Sequence, residues 1–230
     1  MPRIFAWMNG LLIASLIAAG PPVYHVYLNR TYRNFRVVHP GLLYRSGQMS
    51  QAGLERIIHD YGIRTVITLR DADVPGQLPP DWEEEEYCRK EELWYFRLSP
   101  KHWWAPEGEP PAAENVKQFL EIVDNPKYYP ILIHCFAGTH RSGAYCAIYR
   151  MEFDHWSNEQ ALTELHSNGY DHLWEEDDVR GYLQNYEPRW RRQTSTSSAF
   201  DRESRVELTG AAHPSPPSPL PQGERGARRR

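Results

Sequence analysis

Cysteine is scarce in this chain: Cys88, Cys135 and Cys146 are the only three in 230 residues, too few and too scattered for a disulfide framework or a zinc cage. At least one is therefore expected to be a free thiol. The ten histidines show no paired spacing of the kind that ligates a metal, and no internal repeat suggests a solenoid or propeller. A basic surplus is missing too. The net charge is −4, with four Arg and no acid in residues 1–36 and six Arg against four acids from Gln193 onward. The interval 37–192 is left with 16 bases against 26 acids, a net of −10. Nucleic-acid binding needs a basic footprint on the folded part, so that class is disfavoured. At 40% hydrophobic and 24% charged residues, the chain can form one medium domain with extensions, not two complete cores.

One long apolar run is present. Ile4 to Leu28 spans 25 residues, broken by Asn9, Gly10, Ser15 and the pair Pro21-Pro22. About 20 suffice to cross a bilayer, although the proline pair would kink or end a helix. Trp7, Tyr24 and Tyr27 lie near the two ends, where amphipathic rings settle at the headgroups. We expect an uncleaved single-pass anchor. A cleaved signal built on Arg3 and Leu11 to Ala19 is the rival, which Pro21 directly after Gly20 fits poorly; a buried soluble helix is the third reading. Arg30, Arg33 and Arg36 outnumber Arg3, which narrowly favours the cytoplasmic side for the main domain. From Gln193 to Arg230 a Thr/Ser stretch, a Pro/Ser-rich stretch and three terminal arginines lack the apolar residues to offset ordering entropy, so this tail is expected to be disordered. The terminal arginines read as a solvated tail or as a contact for a membrane surface or partner. The expected organisation is an anchor with its basic flank at 1–36, a catalytic domain at 37–192 and the tail at 193–230.

Between Leu42 and Arg192 short β-type runs alternate with helical patterns. Leu42 to Arg45, Arg64 to Leu69, Trp94 to Leu98 and Ile131 to Ile133 read as strands, the last suited to the centre of a parallel sheet. Ser50 can cap a helix carrying Leu54, Ile57, Ile58 and Tyr61, with Gly62 as its left-handed stop. Pro79-Pro80-Asp81 can open a helix through Glu83 to Glu86, an acidic stretch that reads as a solvated face. Pro110-Pro111 opens a helix with Val116, Phe119, Leu120 and Val123 on one face. Ser157 and Gln160 form a capping box for the next, and Val179, Tyr182, Leu183 and Tyr186 mark a last amphipathic helix. The pattern indicates a single α/β domain with a central, mostly parallel sheet flanked by helices.

Residues 131 to 143 run Ile-Leu-Ile-His-Cys-Phe-Ala-Gly-Thr-His-Arg-Ser-Gly. A strand ends at Cys135, a five-residue loop follows, and Arg141-Ser142-Gly143 begins a helix. The helix amino terminus and loop amides can converge into a cup for a tetrahedral dianion. A thiol on its floor would be held partly as thiolate. Arg141 adds a planar fork matched to two phosphate oxygens, which lysine could not reproduce. By composition alone a Cys followed six positions later by Arg is expected about 0.3 times; adding the His, Gly, Ser and Gly positions lowers this to roughly one in 100,000. The alternative is a buried Cys beside a surface Arg.

These residues resemble the signature of the cysteine-dependent protein tyrosine and dual-specificity phosphatases: His-Cys, five residues, Arg, then Ser or Thr. Leu43-Tyr44-Arg45-Ser46-Gly47-Gln48, Tyr61 to Ile67 with Leu69-Arg70, Ile148-Tyr149-Arg150 and Trp156 to Leu162 extend the likeness to the small bacterial and atypical dual-specificity members, over about residues 42 to 186. The resemblance implies a protein-tyrosine-phosphatase-like fold acting on phosphorylated protein, phosphotyrosine above all, with no metal or cofactor. Cys135 would attack phosphorus and form a thiophosphate ester. Arg141 and the amides of Phe136, Ala137, Gly138, Thr139, His140 and Arg141 itself would bind the phosphoryl oxygens. Ser142 would hydrogen-bond the sulfur as leaving group, His134 would hold the loop from behind, and Gly138 and Gly143 would allow close backbone approach.

One element departs from the family pattern. Members place an acidic Asp on the loop before the helix that precedes the signature, yet Ser99 to Ala112 contains no Asp. Glu109 is the first choice for general acid, with Glu107 and Asp71 as alternatives by position, and operation without an acid as a further reading. A phenol leaves more readily than an alcohol, so an enzyme without a general acid could still act on aryl phosphates, which favours phosphotyrosine over phosphoserine. Trp103 and Trp104 could wall a substrate ring or pack on the sheet. The cup holds His140 and Arg141 but no Lys, which ranks inositol polyphosphates lower. Cys88 and Cys146 read as core residues rather than redox partners. Rhodanese-like or arsenate-reducing thiol chemistry, and a catalytically silent phosphate-binding module, are the rival functions.

Overall fold

The computed structural model describes residues 31–192 continuously, with Ser15, residues 17–24, Val26 and Leu28 before them. The chain divides into two units, Met1–Pro188 and Arg189–Arg230, and the fold that follows is that of the first. Residues 4–14 of the expected anchor and the whole expected tail from 193 lie outside the described residues.

Five strands form one sheet: β1 (Arg36–His39), β2 (Leu43–Ser46), β3 (Thr65–Thr68), β4 (Trp94–Arg97) and β5 (Ile131–His134), in the order β1-β2-β5-β3-β4. β2, β5, β3 and β4 are parallel, and β1 pairs antiparallel with β2 at the edge. The helices are α1 (Gln51–Tyr61), α2 (Trp82–Lys90), α3 (Ala112–Val123), α4 (Arg141–Phe153), α5 (Asn158–Ser167) and α6 (Asp177–Asn185). Side chains alternate along β5, so Ile131 and Ile133 join a core with Phe119, Ile148 and Leu162, while Leu132 joins Leu54, Ile57 and Val66 on the other face. A strand buried on both faces must read as a continuous apolar run, which is why Ile131 to Ile133 is legible as the sheet's centre.

Local signals behave as their chemistry requires. Ser50 accepts from Gly53 N at 3.2 Å and Gly62 ends α1 in the left-handed conformation. The capping box of Ser157 and Gln160 is complete, with both reciprocal bonds in place.

Two features differ from expectation. β1 was not anticipated: its burial pattern leaves only Val38 inside, too weak an alternation to announce a strand. The expected boundary between residues 36 and 37 therefore runs through β1, and the chain before it is already tied in, with Gly47 N donating to Arg33 O at 2.6 Å. The acidic stretch needs correction as well. Glu83 and Glu86 are exposed, but Glu84 is only 5% exposed and faces inward, because it meets a buried cation described below. Among the described residues no helix is long and apolar enough to cross a membrane.

Candidate active site

β5 lies between β2 and β3, in register so that His134 pairs with Ser46 on one side and Thr68 on the other. The loop that follows is thus hemmed in by the ends of both neighbours. Gln48 N donates to the Phe136 carbonyl at 3.0 Å and Asn34 Nδ2 to the Ala137 carbonyl at 2.8 Å. With those oxygens bound outside, Gly138 N is turned inward and donates to Cys135 Sγ at 3.2 Å. Gly138 has φ +82°, and a Cβ there would collide with the backbone of Ser46 and Gly47. Gly47 answers it: a Cβ at that position would stand 2.7 Å from the carbonyl oxygens of Phe136 and Ala137. Two facing glycines let the loop press against the end of β2.

Ser142, fully buried in the first turn of α4, places Oγ 3.5 Å from Cys135 Sγ. Burial pushes the Cys135 thiol up, but hydrogen bonds from the Ser142 hydroxyl and from the Ser142 and Gly138 amides, with the charge of His134, outweigh it and hold the thiol below its ordinary value. Cys88 and Cys146 have burial without such donors and are pushed up to about 12. Of the three sulfurs, Cys135 is the one poised as a nucleophile.

Arg141 and His140 lie on the wall of a cleft of about 380 Å³. Cys135, 3% exposed, is not among the residues that line it. Arg141 donates through Nη1 to the Leu69 carbonyl at 3.1 Å. Trp103 lines the cleft and packs edge-on against Tyr145 of α4 and Tyr182 of α6, at 5.6 and 5.1 Å between centroids, so its ring contacts are with helices rather than with the sheet. Trp104 is 64% exposed and takes no part in the wall. Phe136, at the outer edge of the loop, lies under the Arg33 guanidinium at 3.9 Å. Gly143 meets Arg45 and Leu165 where a Cβ would be, and Thr139 stands against Gly169.

The three expected acids are not brought to the cleft. Glu107 and Glu109 are exposed on the loop between β4 and α3, and neither lines the wall. Asp71 accepts from Ser99 Oγ and from Ala72 N, and the Ser99 hydroxyl foremost holds it below the usual carboxylate range. The carboxylates that do line the cleft are Glu176 and Asp178, at the start of α6. Glu176 accepts from the Tyr170 hydroxyl at 2.5 Å, and Tyr170 stacks on His140 at 4.4 Å. Nothing in the spacing from Cys135 to Glu176 marks these acids in the sequence.

Comparison with known families gives one extended match: the model described as DSP-PTPase phosphatase fused to NAD+ kinase covers residues 16–181. The chain belongs to this dual-specificity phosphatase family. Among curated relatives, the tyrosine-protein phosphatase-like protein OCA2 of Saccharomyces cerevisiae is 28% identical over 115 residues, 50% of this chain and 54% of that protein. The dual specificity protein phosphatase TpbA of Pseudomonas aeruginosa is 37% identical over 51 residues, 22% of each chain. The chain thus spans about half the length, or less, of these relatives. Among solved structures, the core catalytic domain of the PP-IP phosphatase SIW14 from S. cerevisiae superposes with a TM-score of 0.53 at 21% identity, over 73% of this chain and 94% of that one. TpbA superposes with a TM-score of 0.51 at 19% identity, over 67% and 85%. At these identities the likeness is one of fold.

Beside the Cys135 loop, at His134, sits a buried charge network. His134 Nδ1 is 3.4 Å from the Cys135 carbonyl, and Nε2 is 2.6 Å from Glu84 Oε1, at ion-pair distance although outside hydrogen-bond angle. Glu84 also accepts from Tyr95 and from Gln48, and Asp81 accepts from Thr68 Oγ1 at 2.5 Å and Arg97 Nη1 at 2.7 Å. Burial opposes a charged imidazole, but Glu84 first and Asp81 next outweigh it, so the pKa of His134 is raised. Asp81, Glu84 and His134 bring their ligand-type atoms within 4.8 Å of one another, a convergence no sequence spacing shows. Arg97 and His134 already balance the two carboxylates.

Proposed function

We propose that the protein hydrolyses phosphomonoesters, phosphotyrosine in proteins foremost, through a cysteinyl-phosphate intermediate. The observation that carries this reading is a lowered-pKa sulfur at the head of α4, within bonding distance of Gly138 N and Ser142 Oγ and one turn of loop from Arg141. Cys135 thiolate attacks phosphorus in line and the ester oxygen leaves. Water then cleaves the S–P bond, and the Ser142 hydroxyl supports the departing sulfur. Arg141 supplies the planar fork for the equatorial oxygens once it turns from Leu69. The leaving oxygen takes its proton from one of two carboxylates: Asp178, which lines the cleft, or Glu109, the choice by sequence position, which stands exposed off its wall.

Trp103 and Tyr170 beside the cleft suit an aryl ester; the loop of the signature has no Lys, but Lys101 lines the cleft with Arg141 and faces Glu176 and Asp178, so the wall carries both signs of charge. A structure of TpbA holds phosphotyrosine, which fits the same preference; SIW14 is described as acting on inositol pyrophosphates. The deciding experiment is turnover of p-nitrophenyl phosphate and of a phosphotyrosine peptide by the full chain. Cys135→Ser should abolish turnover while retaining peptide binding. Turnover of thiosulfate or arsenate in place of phosphate esters, or peptide capture with no release of phosphate by the wild type, would overturn the proposal.

The anchor belongs to this reading as well. Ser15, residues 17–24, Val26 and Leu28 are helical, and Ile17, Val23 and Tyr24 are exposed; an uncovered apolar helix is what a bilayer segment presents. Co-flotation of the full chain with neutral lipid vesicles is the expected result, and recovery of all the protein in the lipid-free fraction would remove the anchor. The cytoplasmic side for the catalytic domain follows from the arginines after the segment.

A further inference from the structure

Arg45, in β2, is 2% exposed, yet among the described residues no carboxylate forms an ion pair with it. Its guanidinium carries five N–H donors, of which Nη2 bonds to the Asn168 carbonyl at 3.1 Å while Nε has no partner. Across the β1–β2 ladder it stands opposite another cation, since Arg36 and Arg45 are directly paired in register. Like charges at such a position repel. Both arginines line one pocket of about 270 Å³, closed by Cys146, Glu164 and Asn168. Glu164 is the only acid on that wall and is already held by Arg150, through Nε at 3.1 Å and Nη2 at 2.9 Å. Arg36 and Glu164, which line the pocket with Arg45, both act on its charge, the first against it and the second for it. The pocket shares no lining residue with the cleft at Arg141.

A buried guanidinium with one neutral acceptor and a second guanidinium beside it is costly unless an anion completes the site. We propose that this pocket is a second anion-binding site, distinct from the catalytic loop, that holds a phosphate-sized tetrahedral oxyanion between Arg36 and Arg45. The inference does not depend on catalysis by Cys135.

The test is thermal unfolding of the full chain titrated with inorganic phosphate, at constant ionic strength set with chloride. In Arg141→Ala, where the catalytic loop has lost its fork, phosphate at ten times its Kd should still raise the Tm by about 3–5 °C. Adding Arg36→Ala, a change on an exposed edge-strand side chain, should remove that rise. Arg45→Met should remove it too while leaving the anion-free Tm unchanged or higher, because it deletes an unpaired buried charge. A rise that vanishes in Arg141→Ala and survives in Arg36→Ala would place all binding in the catalytic loop and overturn the proposal. So would a rise that chloride reproduces.

Discussion

At the scale of single residues, reactivity rests on how Cys135 is surrounded rather than on its being cysteine. Three thiols share burial, and only the one facing Gly138 N and Ser142 Oγ has its pKa lowered. Arg141→Lys keeps the charge but loses the planar fork, and kcat should fall by about 10²-fold or more; a near-normal rate would take the guanidinium off the phosphate. Glu84 acts one step further back. Glu84→Gln leaves the His134 imidazole buried without its counter-charge, so it loses its proton, Cys135 loses a positive neighbour, and the thiol pKa rises. The acidic limb of kcat/KM should move up by about one pH unit. Glu84→Asp should restore part of the shift, and iodoacetate alkylation of Cys135 should track the same midpoint. An unmoved limb would make Glu84 a packing residue only.

At the scale of elements, α2 shows how a charge run deceives. Four consecutive glutamates look solvated in one dimension, yet a helix sends every third or fourth side chain to the same face, and here that face meets His134. The loop from β4 to α3 and the start of α6 offer competing acids. If Glu109 protonates the leaving group, Glu109→Gln should remove the basic limb of the pH profile and slow phenyl phosphate far more than p-nitrophenyl phosphate, by about 10²-fold. If Asp178→Asn does this instead, the acid comes from α6. Elsewhere the elements stand on local chemistry alone. Ser157→Ala deletes one half of a complete capping box and should cost about 1 kcal/mol in urea unfolding, with turnover unchanged.

At the scale of the whole molecule, the buried network ties stability to pH. His134 has a raised pKa in the folded protein, so its contribution is fully present below the unfolded value of about 6.5 and fades as pH rises through the folded value. The stability difference between wild type and Glu84→Gln should therefore be largest near pH 6, at about 1–3 kcal/mol, and shrink towards alkaline pH. A constant difference across that range would show that the pair is not ionised. The candidate catalytic loop was readable because its chemistry is contiguous: His134 to Gly143 holds the thiol, the loop amides, the guanidinium and the hydroxyl in ten positions, and the apolar strand before it locates the sheet's centre. Caps at Ser50 and Ser157 were readable for the same reason, since a capping bond spans three residues. What lies apart in the chain was not. The pairing of Glu84 with His134, the facing of Gly47 and Gly138, the acids of α6 on the cleft and the opposition of Arg36 to Arg45 each join residues from different elements. Sequence patterns encode short-range geometry through helical and strand periods; long-range charge balance exists only once the sheet order has brought the ends of separate strands to one place.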